Sequence, residues 1–263
     1  MIEVKDVVKQ LPNGKQLLKG ITFQAKKGDF IGILGPSGAG KTVTMRCLNG
    51  LTQPTSGHIY LRSNGKTNDL TCCKGKALRE LRQKIGIVFQ GFNLVKRLSV
   101  IENVMIGRLG QINPLRSLTY GFTNAEAEEA LHALEKVKIG HLAYRKVASL
   151  SGGEQQRVAI ARAIFQKPYM LLADEPIANL DPSNAKKIMK LLKPLAKDMP
   201  IIGVFHQPEI AAKYCNRIIA IKEGKVVYDG DTNLSEDLLV EIYGEELQQI
   251  EETSTSQEQL VYS

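Results

Sequence analysis

Short apolar runs recur along the chain, separated by polar segments that contain glycine or proline. Four such runs stand out, and each is followed directly by a polar residue or a glycine. They are residues 30–34, 85–89, 169–173 and 201–205. Runs of this length with these boundaries predict buried strands. Residues 123–137 instead show helical spacing of apolar positions. Strands that alternate with helices predict an α/β fold whose sheet is mostly parallel, with helices on both faces.

The remaining pattern extends this prediction to both ends of the chain. A Pro12-Asn13-Gly14 turn between two alternating segments predicts an N-terminal hairpin, and Glu223-Gly224 predicts a second hairpin near the C-terminus. Residues 63–75 are polar and predict a surface excursion. The other predicted elements are strands at 2–8, 15–25, 58–61, 217–222 and 225–228, and helices at 77–83, 99–108 and 235–243.

These elements predict one α/β domain over residues 1–245. Residues 91–165 are mostly helical in pattern and predict a helical subdomain inserted in the core. Residues 246–263 are rich in Glu, Ser, Thr and Gln, which predicts a disordered acidic tail.

The first chemical signal is the sequence GPSGAGKT at residues 35–42, here named the phosphate loop. It follows a predicted buried strand and precedes a predicted helix, which is the setting in which this pattern binds phosphate. Glycines let the backbone approach a ligand, and the helix N-terminus favours negative charge. We expect Lys41 to reach the β- and γ-phosphates and the Thr42 hydroxyl to ligate Mg²⁺. The candidate binding residues are Gly35, Pro36, Ser37, Gly38, Ala39, Gly40, Lys41 and Thr42.

A second candidate anion site begins the helix predicted over residues 151–165. Ser151 and Glu154 have capping-box spacing, and Gly152 and Gly153 leave the N–H groups of the first turn unshielded. An ordinary N-cap is the alternative interpretation of the same residues.

Polar side chains follow three of the predicted strands. Asp174 and Glu175 follow residues 169–173, His206 follows residues 201–205, and Gln90 follows residues 85–89. Active sites of open α/β sheets lie at this end of the strands. We therefore expect Asp174 to hold Mg²⁺ through water and Glu175 to accept the proton of an attacking water. His206 is a candidate for bonding the γ-phosphate or that water, or a structural histidine.

Composition limits the compartment and the class of partner. No apolar run approaches the length of a membrane span, and the N-terminus lacks the order of a signal peptide, which predicts a cytosolic protein. The four cysteines show no metal-ligand spacing and are interpreted as reduced thiols. The net charge is +8, with six glutamates and no Lys or Arg after residue 240. The lysines are scattered without interleaved aromatics, so nucleic acid is not indicated as a partner.

The order of these motifs resembles the ATP-binding subunits of ABC transporters. Residues 35–42 are similar to their Walker A loop, 150–157 (LSGGEQQR) to the ABC signature, and 170–175 to Walker B with its catalytic glutamate. Gln90 resembles the Q-loop glutamine, residues 178–181 the D-loop, and His206 the switch histidine. The resemblance covers residues 1–245, and the signature is its most specific motif because other P-loop NTPases lack it.

This resemblance implies a P-loop NTPase (RecA-like) core with an N-terminal antiparallel β part and an inserted helical subdomain. It implies ATP and Mg²⁺ as ligands, with Gln90 contributing to catalysis and to the metal. It also implies a head-to-tail pair of ATPase subunits that sandwiches ATP, in which residues 151–154 of one subunit complete the site of the other, and it implies Asp181 as a further nucleotide-binding residue. Leu11 stands where many relatives place an aromatic residue against adenine, and we expect a weak apolar base contact there.

Three further segments, residues 88–100, 103–110 and 116–118, are similar to ATPases of phosphonate importers. That resemblance implies a peripheral protein on the cytoplasmic face of the cell membrane. Its partners would be integral membrane permease subunits and, indirectly, an extracytoplasmic solute-binding protein. An importer ATPase for another solute, such as phosphite, a phosphate ester or an amino acid, is the alternative. A soluble ABC ATPase acting on DNA or ribosomes, or a different class of P-loop enzyme, fits the single set of motifs and the signature less well.

Overall fold

A computed structural model describes residues 1–63, 65–112, 122–178, 180–244 and 246. The elements in chain order are β1 (Ile2–Gln10), β2 (Gln16–Ala25), β3 (Phe30–Leu34), α1 (Lys41–Leu48), β4 (Ser56–Ser63), β5 (Lys66–Asp69), α2 (Gly75–Arg82), β6 (Ile85–Val88), α3 (Val100–Met105), α4 (Asn124–Lys136), α5 (Gly152–Phe165), β7 (Met170–Asp174), α6 (Pro182–Leu195), β8 (Ile201–Val204), α7 (Pro208–Tyr214), β9 (Arg217–Lys222), β10 (Lys225–Gly230) and α8 (Glu236–Tyr243). Short 3-10 turns lie at Ile106–Gln111, Gly140–Leu142 and Val147–Ser149.

The chain divides into two units, of which the first contains residues 1–73 and the described residues from 192 onward. An antiparallel sheet in this unit has the strand order β2-β1-β4-β5. Its strands alternate between buried apolar and exposed polar positions, as in β1, where Ile2, Val4 and Val7 are buried. This alternation is expected for a sheet with one face toward a core.

The same unit contains β3 hydrogen-bonded in parallel to β8 on one side and to β9 on the other, with β10 antiparallel to β9. All five residues of β3 and all four of β8 are buried. Continuous apolar strands of this kind are covered on both faces. Gly32 of β3 faces Ile218, Ala211 and Cys215, and an added Cβ there would lie only 3.0 Å from Ile218 Cδ1.

The second unit contains residues 74–191. Strands β6 and β7 pair in parallel within it, with Val88 opposite Ala173. Helices α3, α4 and α5 pack on one another through apolar residues, which include Val104, Leu134 and Ile160, all fully buried. Thr123 and Ser99 begin α4 and α3 with complete capping boxes.

The mixed α/β architecture, the N-terminal antiparallel sheet and the mostly parallel buried strands confirm the predicted fold class. The predicted surface excursion over residues 63–75 contains a strand that was not predicted, since residues 66–69 form β5 against β4 while Lys66, Thr67 and Asn68 stay exposed. Its side chains are polar, so the strand carries no apolar signal and depends on its neighbour for its hydrogen bonds.

Some predictions fall on parts of the chain that are not described. Residues 116–118 and Asn179 lie outside the described residues, and so does the predicted tail except for Glu246. Within the ranges that are described, no helix has both the length and the apolar character needed to cross a membrane.

Candidate functional site

The phosphate loop connects the buried strand β3 to helix α1. Gly35 and Gly40 both have left-handed backbone angles, with φ of 143° and 108°. A Cβ at Gly35 would lie 2.0 Å from the carbonyl oxygen of Ile221, and one at Gly40 would lie 2.8 Å from Leu18. These glycines are therefore required by close packing as well as by φ. Gly38 also has positive φ, but its missing side chain would point into open space.

Lys41 begins helix α1 and is buried, with 7% of its surface exposed. Its ammonium group donates to the carbonyl oxygens of Gly35 at 2.5 Å and Pro36 at 2.8 Å. The first two residues of the phosphate loop thus bind the ammonium group of the loop's own lysine. The neighbouring Thr42 is exposed, and its hydroxyl lies on the first turn of α1. The first N–H groups of a helix have no acceptor within that helix, which makes this turn suitable for an anion.

Two residues near the C-terminus contact the phosphate loop, and sequence reasoning did not identify either of them. The backbone N–H of Gly35 donates to the Tyr243 hydroxyl at 3.3 Å, and the N–H of Ser37 donates to Oε2 of Glu246 at 3.0 Å. Burial raises the pKa of Tyr243 to about 12, so its hydroxyl stays neutral. The Glu246 carboxylate thus accepts a hydrogen bond from a loop N–H, as a phosphate oxygen does when it binds such a loop.

His206 lies in the same unit as the phosphate loop. Ile33 of β3 pairs with Val204 of β8, and the N–H of Phe205 donates to the carbonyl of Ile33 at 3.1 Å. The strand register therefore places His206 and the start of the loop at the carboxyl ends of adjacent parallel strands. Its side chain is exposed. His206 and the start of the phosphate loop therefore lie at one edge of the sheet, as we expected because each follows a predicted strand.

In the second unit, Gln90 and Glu175 form a direct pair. Each residue stands two positions beyond paired residues of β6 and β7, and Gln90 Nε2 donates to Glu175 Oε2 at 2.5 Å. Glu175 has a left-handed φ of 49°, which is uncommon for a residue other than glycine and is one of the strained conformations that active sites use. Asp174 and Glu175 are both half-buried at the end of β7.

The segment at residues 151–154 forms the predicted helix start. The Ser151 side chain accepts from the N–H of Glu154, and the Glu154 carboxylate accepts from the N–H of Ser151 at 2.8 Å. This reciprocal pair confirms the capping box. Gly153 is packed so closely that a Cβ would lie 2.9 Å from Asn184 Cγ. Ser151 and Gly152 are exposed, so the turn is open toward solvent, and the Ser151 hydroxyl donates to Glu154 Oε2 at 2.9 Å.

Asp181 stands immediately before α6 and accepts from Asn184, at 3.0 Å from its N–H and 2.6 Å from its side-chain amide. These two hydrogen bonds hold the pKa of Asp181 below its usual range, and the bond from the Asn184 backbone N–H has the larger effect. The contact is that of a helix cap. Leu11, the predicted base contact, lies in the turn between β1 and β2, where its N–H donates to the carbonyl of Lys15.

Sequence reasoning also missed Arg162 and Gln156, two side chains of helix α5 that position loops of the second unit. The Arg162 guanidinium donates to the carbonyls of Asn93 at 2.6 Å and Phe92 at 2.8 Å, just after Gln90. Gln156 is buried and donates to the carbonyl of Pro176 at 2.5 Å, just after Glu175. Gln156 lies within residues 150–157, but the loop contacts of both residues could not be predicted, because their partners are distant in the chain.

A phosphate loop between a buried parallel strand and a helix, within an α/β fold, defines a P-loop nucleotide-binding protein. The chain belongs to the ABC transporter family, whose family model matches residues 18–178. It is therefore an ABC-type ATPase that binds ATP.

Known relatives match nearly the whole chain. It is 43% identical over 254 residues to the phosphonates import ATP-binding protein PhnC of Shouchella clausii, covering 95% of this chain and 94% of the relative. It is 41% identical over 248 residues to PhnC of Mesoplasma florum, covering 93% and 100%. Among solved structures, a dimeric ATP-binding cassette in a post-hydrolysis state with ADP and Pi has 33% identity and a TM-score of 0.72, covering 89% of this chain and 99% of that one.

Proposed function

We propose that this chain is the ATP-hydrolysing subunit of an ABC importer for phosphonates. The observation that carries the proposal is identity of 41–43% with relatives named as phosphonates import ATP-binding proteins, over at least 93% of this chain. Phosphonate is assigned through these relatives, because the ATPase subunit need not contact the transported solute.

The phosphate loop supplies the nucleotide site in this proposal. Its backbone N–H groups and the N-terminus of α1 favour the phosphates electrostatically. Lys41 would exchange its contacts with the Gly35 and Pro36 carbonyls for the β- and γ-phosphates. Leu11 would offer only an apolar contact to the base, so base selectivity would be low compared with a site that stacks a ring.

The available side chains also fit Mg²⁺. The oxygen ligands that Mg²⁺ prefers are offered by the Thr42 hydroxyl in the first unit and by the Asp174 carboxylate and the Gln90 amide in the second, and Thr42 and Asp174 are not deeply buried. Asp174 would hold the ion through water. When bound with ATP, Mg²⁺ neutralises charge on the phosphate oxygens.

Glu175 is the proposed general base. It would accept a proton from the water whose oxygen attacks the γ-phosphorus, while the bond from that phosphorus to the β-phosphate oxygen breaks. The 2.5 Å contact with Gln90 holds its carboxylate in one orientation. His206 would donate to the γ-phosphate or orient the water.

We also infer that two ATPase subunits act as a head-to-tail pair. The open helix start at residues 151–154 has N–H donors and a hydroxyl suited to a phosphate, and it would complete the site of a partner subunit. Asp181 would lie at the same interface, because it accepts from Asn184, which packs against Gly153 of this turn. The dimeric form of a structurally similar cassette supports this arrangement. Loss of the γ-phosphate would remove the bridge and let the pair open.

The remaining partners follow from the importer assignment. Permease subunits in the membrane would dock on the helical part, about residues 91–165, and Gln90 at its edge would relay the nucleotide state. An extracytoplasmic solute-binding protein would act indirectly. The chain would then work at the cytoplasmic face of the cell membrane, without nucleic acid as a partner.

The test is to replace the gene in its host by the Glu175→Gln variant and to compare growth on a phosphonate with growth on phosphate as sole phosphorus source. We expect growth on the phosphonate to fail and growth on phosphate to continue. The isosteric variant Glu128→Gln, at an exposed position of α4, is the matched control and should grow on both.

Purified wild-type protein separates the two parts of the proposal. ATP hydrolysis by wild type, combined with normal growth of the Glu175→Gln strain on phosphonate, would refute the substrate class and keep the ATPase. Absence of ATP hydrolysis from wild type copurified with its membrane partners would refute the ATPase mechanism itself.

A further inference from the structure

We propose that His58, Asp69 and Cys72 form a binding site for one divalent late transition-metal ion, with Zn²⁺ as the preferred ion. These residues, here named the His58 cluster, belong to none of the ATPase motifs. One ligand atom of each lies within 4.8 Å of the others.

The fold brings the three residues together from separate parts of the chain. His58 lies on β4, Asp69 is the last residue of β5, and Cys72 lies in the turn that follows. Tyr60 pairs with Asp69 across the two strands, which places His58 beside the end of β5. The spacing of the cysteines alone predicted no metal site, because the histidine joins the cluster only through strand pairing.

Asp69 is the centre of the cluster, and its two oxygens have separate tasks. Oδ1 accepts from the Thr71 N–H at 2.9 Å and the Thr71 hydroxyl at 2.6 Å. Oδ2 lies 2.7 Å from His58 Nδ1 and 3.2 Å from Cys72 Sγ. Thr71 therefore fixes the carboxylate so that Oδ2 faces the other two ligand atoms, as residues around metal sites commonly do.

The histidine ring is also held in place. It stacks on Tyr60 with centroids 5.6 Å apart and an interplanar angle of 14°. This packing restricts rotation of the ring and keeps Nδ1 toward Asp69.

The donor set matches Zn²⁺ in type and in charge. Imidazole nitrogen, carboxylate oxygen and thiolate are its usual ligands, at about 2.0–2.3 Å from the ion. Ligand atoms of a tetrahedral site lie roughly 3.3–3.7 Å apart at those bond lengths, so the two contacts of Asp69 Oδ2 would lengthen slightly on binding. Zn²⁺ binding would release the Cys72 thiol proton to solvent and use His58 with its proton on Nε2. The ionised Asp69 and Cys72 would balance the charge of the ion, and water would take the fourth position, since His58 and Cys72 are exposed.

The experiment titrates Co²⁺ and then Zn²⁺ into the purified, tag-free full-length chain without ATP. We expect one equivalent of Co²⁺ to give visible bands of tetrahedral cobalt and a sulfur-to-cobalt charge-transfer band, both removed by Zn²⁺. Thiolate ligation distinguishes this site from the ATPase site, whose candidate metal ligands contain no sulfur.

Four variants test the assignment. Cys72→Ser should abolish the charge-transfer band, and His58→Gln should weaken Zn²⁺ binding at least tenfold. Thr71→Val, which only positions Asp69, should weaken binding by about 10- to 100-fold. Cys73→Ser is the matched control, with the neighbouring thiol removed, and should bind as wild type does.

Each variant should keep the Mg²⁺-dependent ATPase rate and the melting temperature of the metal-free protein, which shows that the fold is intact. Zn²⁺ should raise the melting temperature of wild type and not that of Cys72→Ser, because a ligand that binds only the folded state stabilises it. Absence of the charge-transfer band in wild type would overturn the proposal. A band lost in Cys73→Ser but kept in Cys72→Ser would overturn it as well.

Discussion

The side-chain amide of Gln90 donates a 2.5 Å hydrogen bond to Oε2 of Glu175. The two residues stand 85 positions apart in the chain and meet because β6 and β7 pair in parallel. Glu175 holds this position in a left-handed backbone conformation. A residue stays in such a conformation only where its surroundings fix the backbone. One such restraint is the hydrogen bond from the Gln156 side-chain amide to the carbonyl of Pro176, the residue after Glu175.

Replacement of Glu175 by Gln removes the proposed base and keeps the shape of the side chain. We expect the ATP hydrolysis rate to fall by about 10²- to 10⁴-fold, the usual contribution of a general base. ATP binding should persist, and the variant should accumulate as an ATP-bound dimer, measured by light scattering after gel filtration. Glu128→Gln serves as the control. A variant that hydrolyses ATP at the wild-type rate would show that Glu175 is not the base.

The glycines of the phosphate loop differ in what they tolerate. Gly38→Ala meets open space and should cost about 1–2 kcal/mol, the price of a left-handed conformation for a residue with a Cβ. Gly35→Ala should destabilise the protein more, because its Cβ would lie 2.0 Å from the Ile221 carbonyl oxygen. Urea unfolding of the two variants and wild type measures the difference. Equal stability of the two variants would contradict the packing argument.

Local patterns predicted much of the fold and the centre of the candidate site. The phosphate loop, the Ser151 capping box and the carboxylates after β7 depend on residues close in sequence, and each was predicted from such residues. His206 and Gln90 were predicted from strand ends, since parallel strands bring their carboxyl ends to one edge.

Contacts between distant segments could not be predicted in this way. Tyr243 and Glu246 reach the phosphate loop from about 200 residues away, and Arg162 binds carbonyls about 70 residues before it. Strand β5 was missed for a related reason, because its polar side chains carry no strand pattern and its hydrogen bonds come from β4. The hydrogen bonds of Asp181 were not predicted either. Its position in a motif gives no sign that Asn184 donates to both of its carboxylate oxygens.

The contact between Glu246 and Ser37 predicts competition with the nucleotide. The Ser37 N–H belongs to the loop that we propose binds phosphate, so the carboxylate must leave when ATP enters. We expect Glu246→Ala to tighten ATP binding by roughly two- to tenfold, which corresponds to the loss of one modest hydrogen bond. Isothermal titration with a hydrolysis-deficient background measures the affinity.

Glu241→Gln is the control for that measurement. Glu241 is exposed on α8, shortly before Glu246 in the chain, and it binds Lys222 through its backbone carbonyl, which the substitution keeps. An equal gain in affinity for both variants would assign the effect to the general negative charge of this region, and no gain for Glu246→Ala would refute the competition.

The four cysteines should differ widely in reactivity toward a thiol reagent. Burial raises the pKa of Cys47 to about 11 and that of Cys215 to about 12. At pH 8 about one Cys47 side chain in a thousand is then a thiolate, and the thiolate fraction of Cys215 is smaller. Both thiols are also buried, which shields them from the reagent.

Cys72 is exposed and should react first. Cys73 should follow more slowly, since partial burial, then the charges of Asp69 and Cys72, raise its pKa. Mass spectrometry of peptides from native and urea-treated protein identifies each labelled site, and Cys72→Ser confirms the fast phase. Rapid native labelling of Cys47 or Cys215 would contradict the packing of α1 or of the segment after α7, because a buried thiol reacts only when the fold around it opens.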